Sequence, residues 1–226
     1  MTKLGQVVVR SAAPVTLVGG GRLGADDLAL ARVHGPEVVA VDGGAGAVLA
    51  AGLRPLAVVG DMDSLTAEAA AAFADRLHPI AEQETTDFDK ALRSVAAPLC
   101  LAVGFSGGRF DHELAVLSTL LRHAGRPCVV VGAESVTFLC PPVFEIAVEV
   151  GSVFSLFPLV PVAVESAGLR WPTGGIDFRP DGMIGTSNAV TGPVRLCASA
   201  PGMLVILPRA ALGRVVAALV AGPRWD

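Results

Sequence analysis

Apolar residues open the chain in short runs. Residues 38–41, 56–59, 99–103 and 129–131 are continuous hydrophobic stretches of strand length, and 15–18 is one interrupted only by Thr16. The segments between them predict helices: an Ala/Leu-rich one ending near residue 33, then 45–51, 66–74, 86–95 and 111–123. Unbroken apolar strands alternating with helices predict a parallel sheet covered on both faces. Beyond about residue 134 the texture changes. Short runs at 135–139, 144–148, 153–157 and 162–165, apolar with interspersed polar residues, are separated by Pro or Gly, and helical spacing returns only near 212–220. The final segment is open between helix and strand. The pattern predicts an α/β domain with a mostly parallel, Rossmann-like sheet over residues 1–134, followed by an all-β sandwich domain over 135–226. No repeat or low-complexity linker divides them, so tight packing of the two is expected.

Composition narrows the class. The chain has 226 residues, 52% hydrophobic and 17% charged, which excludes a disordered protein. No apolar run reaches the ~18 residues of a spanning helix. Between Lys3 and Arg10 no apolar segment is long enough for a signal peptide, so a cytoplasmic location is expected. A net charge of −4 without a basic stripe argues against nucleic acid as the main partner. Cys100, Cys128, Cys140 and Cys197 form no C-x-x-C pair and read as reduced core thiols rather than zinc ligands. Lys3 and Lys90 are the only lysines and Asn188 the only asparagine, which draws attention to Lys90 and Asn188.

The candidate chemistry sits where strands are expected to end. Asp42-Gly43-Gly44, Gly60-Asp61-Met62-Asp63-Ser64 and Gly107-Gly108-Arg109-Phe110-Asp111-His112 each follow an apolar run. In an open parallel sheet these ends share one edge, where ligands bind. If the backbone at Asp61 and Asp63 is extended, both carboxylates point to one side and repel unless a cation joins them. Magnesium suits such a pair, since it takes oxygen ligands and rests on one or two carboxylates plus substrate phosphates. The other reading is a solvated turn in which Asp63 or Ser64 caps the next helix. Thr85-Thr86-Asp87-Phe88-Asp89-Lys90 reads as a capped helix start. Asp87 and Lys90, three apart, share a face from which Asp87 can join a metal site and Lys90 can hold a phosphate. Arg109, after two glycines, can grip phosphate through paired hydrogen bonds, while Asp111 also reads as a helix cap. No Walker-type phosphate loop is present. Farther on, Trp171 offers either core packing or a flat face to an aromatic or cationic ligand. Asn188 reads either as a turn residue or as a paired donor and acceptor.

Taken in order, Asp42-Gly43-Gly44-Ala45, Gly60-Asp61-Met62-Asp63-Ser64, Thr85-Thr86-Asp87 with Lys90, Gly107-Gly108-Arg109-Phe110-Asp111-His112, Ser155-Leu156-Phe157-Pro158, Gly168-Leu169-Arg170-Trp171-Pro172 and Ser187-Asn188 resemble the thiamine pyrophosphokinase family over nearly the whole chain. The resemblance implies a nucleotide-binding α/β domain, a β-sandwich domain, and a homodimer with thiamine near the subunit interface. It implies Mg²⁺ and ATP as co-substrate, with Asp61, Asp63 and Asp87 at the metal and Asp42 and Asp111 as further acids. Lys90 and Arg109 would neutralise the transferred diphosphate. Gly43, Gly44, Gly107, Gly108 and Arg109 would contact the nucleotide, and Trp171, Ser187 and Asn188 would contact thiamine. The chain departs from the family at Gly46, where Asn is usual, and the resemblance fades after about residue 207.

The implied reaction is attack by the thiamine hydroxyl on the β-phosphorus of ATP, with Asp87 or Asp111 as candidate base. No Ser-His-Asp or Cys-His set points to a covalent intermediate. Rival readings are a diphosphokinase acting on a hydroxymethylpterin, a non-catalytic nucleotide- or thiamine-binding protein, and a sugar-nucleotide transferase using only Asp61 and Asp63.

Overall fold

A computed structural model describes residues 7–226; Lys3 lies outside them. The described chain forms two compact units: residues up to Thr119 with Val130–Ala133, and Leu120–Val129 with Glu134–Asp226.

The first unit carries β1 (Val9–Arg10), β2 (Val15–Val18), α1 (Asp27–His34), β3 (Glu37–Val41), α2 (Gly44–Ala50), β4 (Ala57–Gly60), α3 (Ala67–Ala72), β5 (Leu77–Pro79), α4 (Asp87–Ser94), β6 (Val95–Ala96) and β7 (Cys100–Val103). After it come α5 (Phe110–Arg122) and β8 (Cys128–Val131), which bridge the division into units. The parallel sheet runs in the order β7-β2-β3-β4-β5, with β8 beyond β7. Strands β2, β4 and β7 are buried at every position, as expected of a sheet covered on both sides. Registers of Val18 with Ala40 and Val103, and of Val41 with Val59, align the strand ends, so the loops after β2, β3, β4 and β7 leave from one edge.

Two details were not legible in the pattern. β5 is a three-residue edge strand ending in Pro79, whose missing donor is tolerated at an edge. α4 passes directly into β6, which pairs with β1 in a separate two-stranded sheet.

The second unit is antiparallel: β9 (Ser135–Leu139), β10 (Val143–Ile146), β11 (Val153–Pro158), β12 (Val162–Leu169), β13 (Asp177–Phe178), β14 (Gly185–Ala198) and β15 (Met203–Pro208). The 14-residue β14 pairs with β11 through its first part and with β10 and β12 through its second. Alternating burial along β10 to β12 matches sheets with one face toward a core. The open C-terminal segment resolves as helix α6 (Leu212–Ala221), so this unit is not built of strands alone. Leu212, Val215, Val216 and Leu219 form its buried stripe at helical spacing. Among the described residues no helix is long and apolar enough to cross a membrane.

Candidate active site

The site is assembled by turns after β3 and β4 and by the first turns of α4. At Asp42 the backbone adopts φ 46, a left-handed conformation uncommon outside glycine. It is held there by Asp42 N–H donating to Val59 at 2.9 Å and by Ala45 N–H donating to the Asp42 carbonyl at 3.0 Å. α2 then starts hard against β2: a Cβ at Gly44 would lie 2.0 Å from the Val18 carbonyl oxygen. The glycine following Asp42-Gly43 is therefore required by backbone packing, whatever else it touches. At the end of β4, Gly60 leaves room for the Asp42 side chain, whose Cβ would stand 2.8 Å from an added Cβ.

Asp61 and Asp63 are not on extended backbone. Met62 between them is left-handed at φ 71, and Asp63 N–H donates to Asp61 Oδ1 at 3.3 Å. A tight turn, rather than strand alternation, brings the two acids together. Asp42 joins them: one oxygen from each of Asp42, Asp61 and Asp63 lies within 4.8 Å of the others. Asp42 is 6% exposed and its buried Oδ1 has no hydrogen-bond partner. Burial raises the Asp42 pKa, and the charges of Asp87 and Asp63 push the same way. An oxygen-only donor set with an orphaned buried carboxylate oxygen fits a hard divalent cation such as Mg²⁺.

α4 supplies the counter-charge. Thr86 caps it, its hydroxyl accepting from Asp89 N–H at 3.3 Å. Lys90, with its side chain 1% exposed, places Nζ 3.0 Å from Asp61 Oδ2 and 3.1 Å from Asp87 Oδ1. Asp87 Oδ1 also accepts from Asp61 N–H at 3.2 Å. Burial works against the Lys90 ammonium, but its bonds to Asp61 and Asp87 outweigh it and raise its pKa. The Lys90 hydrogen bond in turn lowers the Asp61 pKa. Thus Asp61 belongs to both groups: it shares the triad of oxygens with Asp42 and Asp63, and it shares Lys90 with Asp87.

Three neighbours escaped the sequence reading. Gln83 donates to Asp61 Oδ2 at 3.2 Å. Glu82 accepts from Arg93 Nη2 at 2.7 Å. Arg93 lies three residues beyond Lys90 on the same helix, a spacing that hints at a shared face. Nothing in the sequence marks Glu82.

Arg109 and Asp111 form their own exposed pair, Nη2 to Oδ2 at 2.6 Å and Nε to Oδ1 at 3.2 Å, with side chains 71% and 64% exposed. Hydrogen bonding to Arg109 holds the Asp111 carboxyl down at about 2. Asp111 lies inside the first turn of α5 rather than before it. The Gly107 and Gly108 amides donate to Glu113 Oε1 at 3.0 and 3.1 Å.

The remaining candidates lie in the antiparallel unit. Trp171 is 55% exposed, with the Arg170 guanidinium carbon 5.1 Å from the ring centroid. Asn188 is buried and its amide is engaged with the Trp171 backbone. Oδ1 accepts from Trp171 N–H at 3.1 Å and Nδ2 donates to the Trp171 carbonyl at 2.7 Å. Ser187 is left-handed at φ 61, its N–H donating to Ser155 Oγ at 2.9 Å.

Fold and site together define an α/β protein with an acid-and-lysine cluster at the carboxyl edge of a parallel sheet, followed by an antiparallel β unit. A family model described as "Thiamin pyrophosphokinase, catalytic domain" matches residues 34–131. Over that segment, and in its fold, the chain is similar to thiamine pyrophosphokinases. It is 28% identical over 160 residues to thiamine pyrophosphokinase 1 of Arabidopsis thaliana, covering 61% of this chain and 59% of that protein. To thiamine pyrophosphokinase 2 of Oryza sativa subsp. japonica it is 30% identical over 156 residues, covering 60% and 58%. The chain therefore spans less than two thirds of the length of these relatives. Among solved structures it is similar to thiamin pyrophosphokinase from Geobacillus thermodenitrificans, with TM-score 0.70 and 27% identity over 86% of this chain and 96% of that one. Thiamin pyrophosphokinase from Candida albicans shares the fold, with TM-score 0.73 and 15% identity over 90% and 94%.

Proposed function

We propose that the chain transfers diphosphate from ATP to the hydroxyl of thiamine, giving thiamine diphosphate and AMP. The observation that carries this reading is the cluster in which Asp61 joins the Asp42 and Asp63 oxygens on one side and the buried Lys90 on the other. A pure binding protein gains little from packing repelling carboxylates around one lysine. A phosphoryl-transfer site needs that arrangement, because its work is positioning and charge neutralisation.

In this reading the hydroxyl oxygen of thiamine bonds to the β-phosphorus, the bond from that phosphorus to the α–β bridging oxygen breaks, and AMP leaves. Asp61 and Asp63 would hold Mg²⁺, with Asp42 as the third converging acid and Asp87 beside them through Lys90. When bound, the ion would act as a Lewis acid that withdraws charge from the diphosphate. Lys90 and Arg109 supply further positive charge, Arg109 after releasing Asp111. Gly43, Gly44, Gly107 and Gly108 present backbone toward the nucleotide. The hydroxyl proton passes to solvent or to a carboxylate, Asp87 and Asp111 being the candidates. Trp171, Ser187 and Asn188 serve the acceptor, Asn188 by fixing the backbone that carries the indole. Residues 1–134 act as the nucleotide-binding domain and 135–226 as the thiamine-binding and dimerisation domain of a homodimer, with sites near the subunit interface.

Incubation with ATP, Mg²⁺ and thiamine tests the reading. AMP and thiamine diphosphate should form in equal amounts. Turnover of a hydroxymethylpterin with none of thiamine would replace it.

A further inference from the structure

Asp87 and Lys90 both enter the site from the first turns of α4, so the place where that helix begins sets the two side chains together. Four bonds converge on one carboxylate just before it. Glu82 Oε2 accepts from the backbone N–H of Glu84 at 2.8 Å and of Thr85 at 3.0 Å. Glu82 Oε1 accepts from the Thr85 hydroxyl and from Arg93 Nη2, the latter at 2.7 Å. Arg93 belongs to the second turn of α4 and is 14% exposed. Its Nη1 stands 3.8 Å from Oδ1 of the buried Asp89. One carboxylate thus ties the loop ahead of the helix to the helix's own second turn.

The same loop reaches the site. Gln83, next to Glu82, donates to Asp61 Oδ2. Thr86, at the end of the bracketed segment, is the N-cap of α4. The far end of the helix is fixed separately, by Val8 N–H donating to the Ser94 carbonyl at 2.8 Å and by the β1–β6 pairing. Glu82 is therefore the tie at the site end. Its carboxyl is held down at about 2, chiefly by the Thr85 hydroxyl, with Arg93 and the two amides adding to the effect against burial.

We propose that Glu82, acting through Arg93 and the 84–86 backbone, is a positioning residue that keeps Asp87 and Lys90 in register with Asp61. Its role in turnover rests on the diphosphate-transfer reading; its role in placing α4 does not. A shift of about 1 Å in such groups costs on the order of a hundredfold in rate, which gives the tie catalytic weight without contact to substrate.

The test uses the full chain and five variants: Glu82→Ala, Glu82→Gln, Arg93→Met, Glu82→Ala with Arg93→Met, and Leu212→Ala as a control that lowers stability from the buried face of α6. Hydrogen exchange is read at the amides of residues 84–90. In Glu82→Ala these amides exchange at least about tenfold faster, and in Leu212→Ala they do not. In the same samples kcat falls at least about tenfold while the thiamine KM stays within about threefold, and half-maximal activity needs more Mg²⁺. Arg93→Met shows the same split, and the double variant is no worse than either single one, because both act through one tie. Glu82→Gln keeps acceptor oxygen and recovers part of the loss; it also carries the test if Glu82→Ala does not fold. Unchanged exchange at 84–90, unchanged kcat in an otherwise active protein, or losses that multiply in the double variant would each overturn the proposal. A wild-type chain that makes no thiamine diphosphate would sink the proposed reaction alone. Exchange, with Mn²⁺ binding by calorimetry in the same variants, would then decide the bracket, faster exchange with weakened binding supporting it and no change in either overturning it.

Discussion

The acid cluster of the parallel-sheet unit and the Trp171 segment of the antiparallel unit use polar groups in opposite ways. In the first, side chains from three separate segments bond to one another: Lys90 to Asp61 and Asp87, Gln83 to Asp61. In the second, the one asparagine bonds to backbone, its amide spent on both polar groups of Trp171 while the indole stays half exposed. In the proposed reaction the charged groups would rearrange as cation and phosphate arrive, whereas the Asn188 amide would hold the Trp171 backbone still beneath whatever meets the ring.

Substitutions can break that contrast, and the largest effect is expected at the exposed end of the acid cluster. Asp63→Asn should lower AMP release at least about a thousandfold, since in the proposed reaction it removes a carboxylate that would hold Mg²⁺. Its thermal midpoint should hardly move, because Asp63 is exposed. Lys90→Met should instead unfold easily. Removing one partner from a buried charge group costs about 3–5 kcal/mol, to be read by urea denaturation. In the other unit, Asn188→Ala should cost about 1–3 kcal/mol by leaving the Trp171 backbone groups unpaired. Trp171→Ala should raise the thiamine KM more than it lowers stability. Equal effects of the two changes on KM and on stability would erase the distinction drawn between ring and brace.

Acid also probes the Glu82 tie. The Glu82 pKa is depressed from 4.5 to about 2, so the stability it adds is present above the unfolded value and is lost as pH falls toward 2. Glu82→Gln should therefore be less stable than wild type near neutral pH, and the difference should narrow between pH 4.5 and 2 in urea titrations. The smallest effect is expected at Gly46, inside α2, where an added Cβ meets nothing within 4 Å. Gly46→Ala should stabilise by about 0.5–1 kcal/mol through helix propensity alone.

Much of this was legible before any coordinates. Runs such as 99–103 could only be buried strands, and the i,i+3 spacing of Asp87 and Lys90 already put them on one face. The convergence of Asp42 with Asp61 followed from both lying at strand ends. What stayed hidden depended on loop closure. β1, β5 and β6 are too short to show a period. Glu82 and Gln83 look like any polar loop pair until the loop folds back on Asp61 and Arg93. The rarity of Asn188 marked the residue but not its partner, because rarity says nothing about which atoms an amide will find.

The left-handed turn at Met62 has a consequence for how this site tolerates change over many generations. Met62 is half-buried rather than part of the core. What is constrained there is a dihedral angle. A full substitution profile at that position would rank glycine and asparagine above valine and isoleucine, the reverse of a hydropathy ranking. The position would thus be constrained by the shape of its backbone, and two acids would owe their meeting to it.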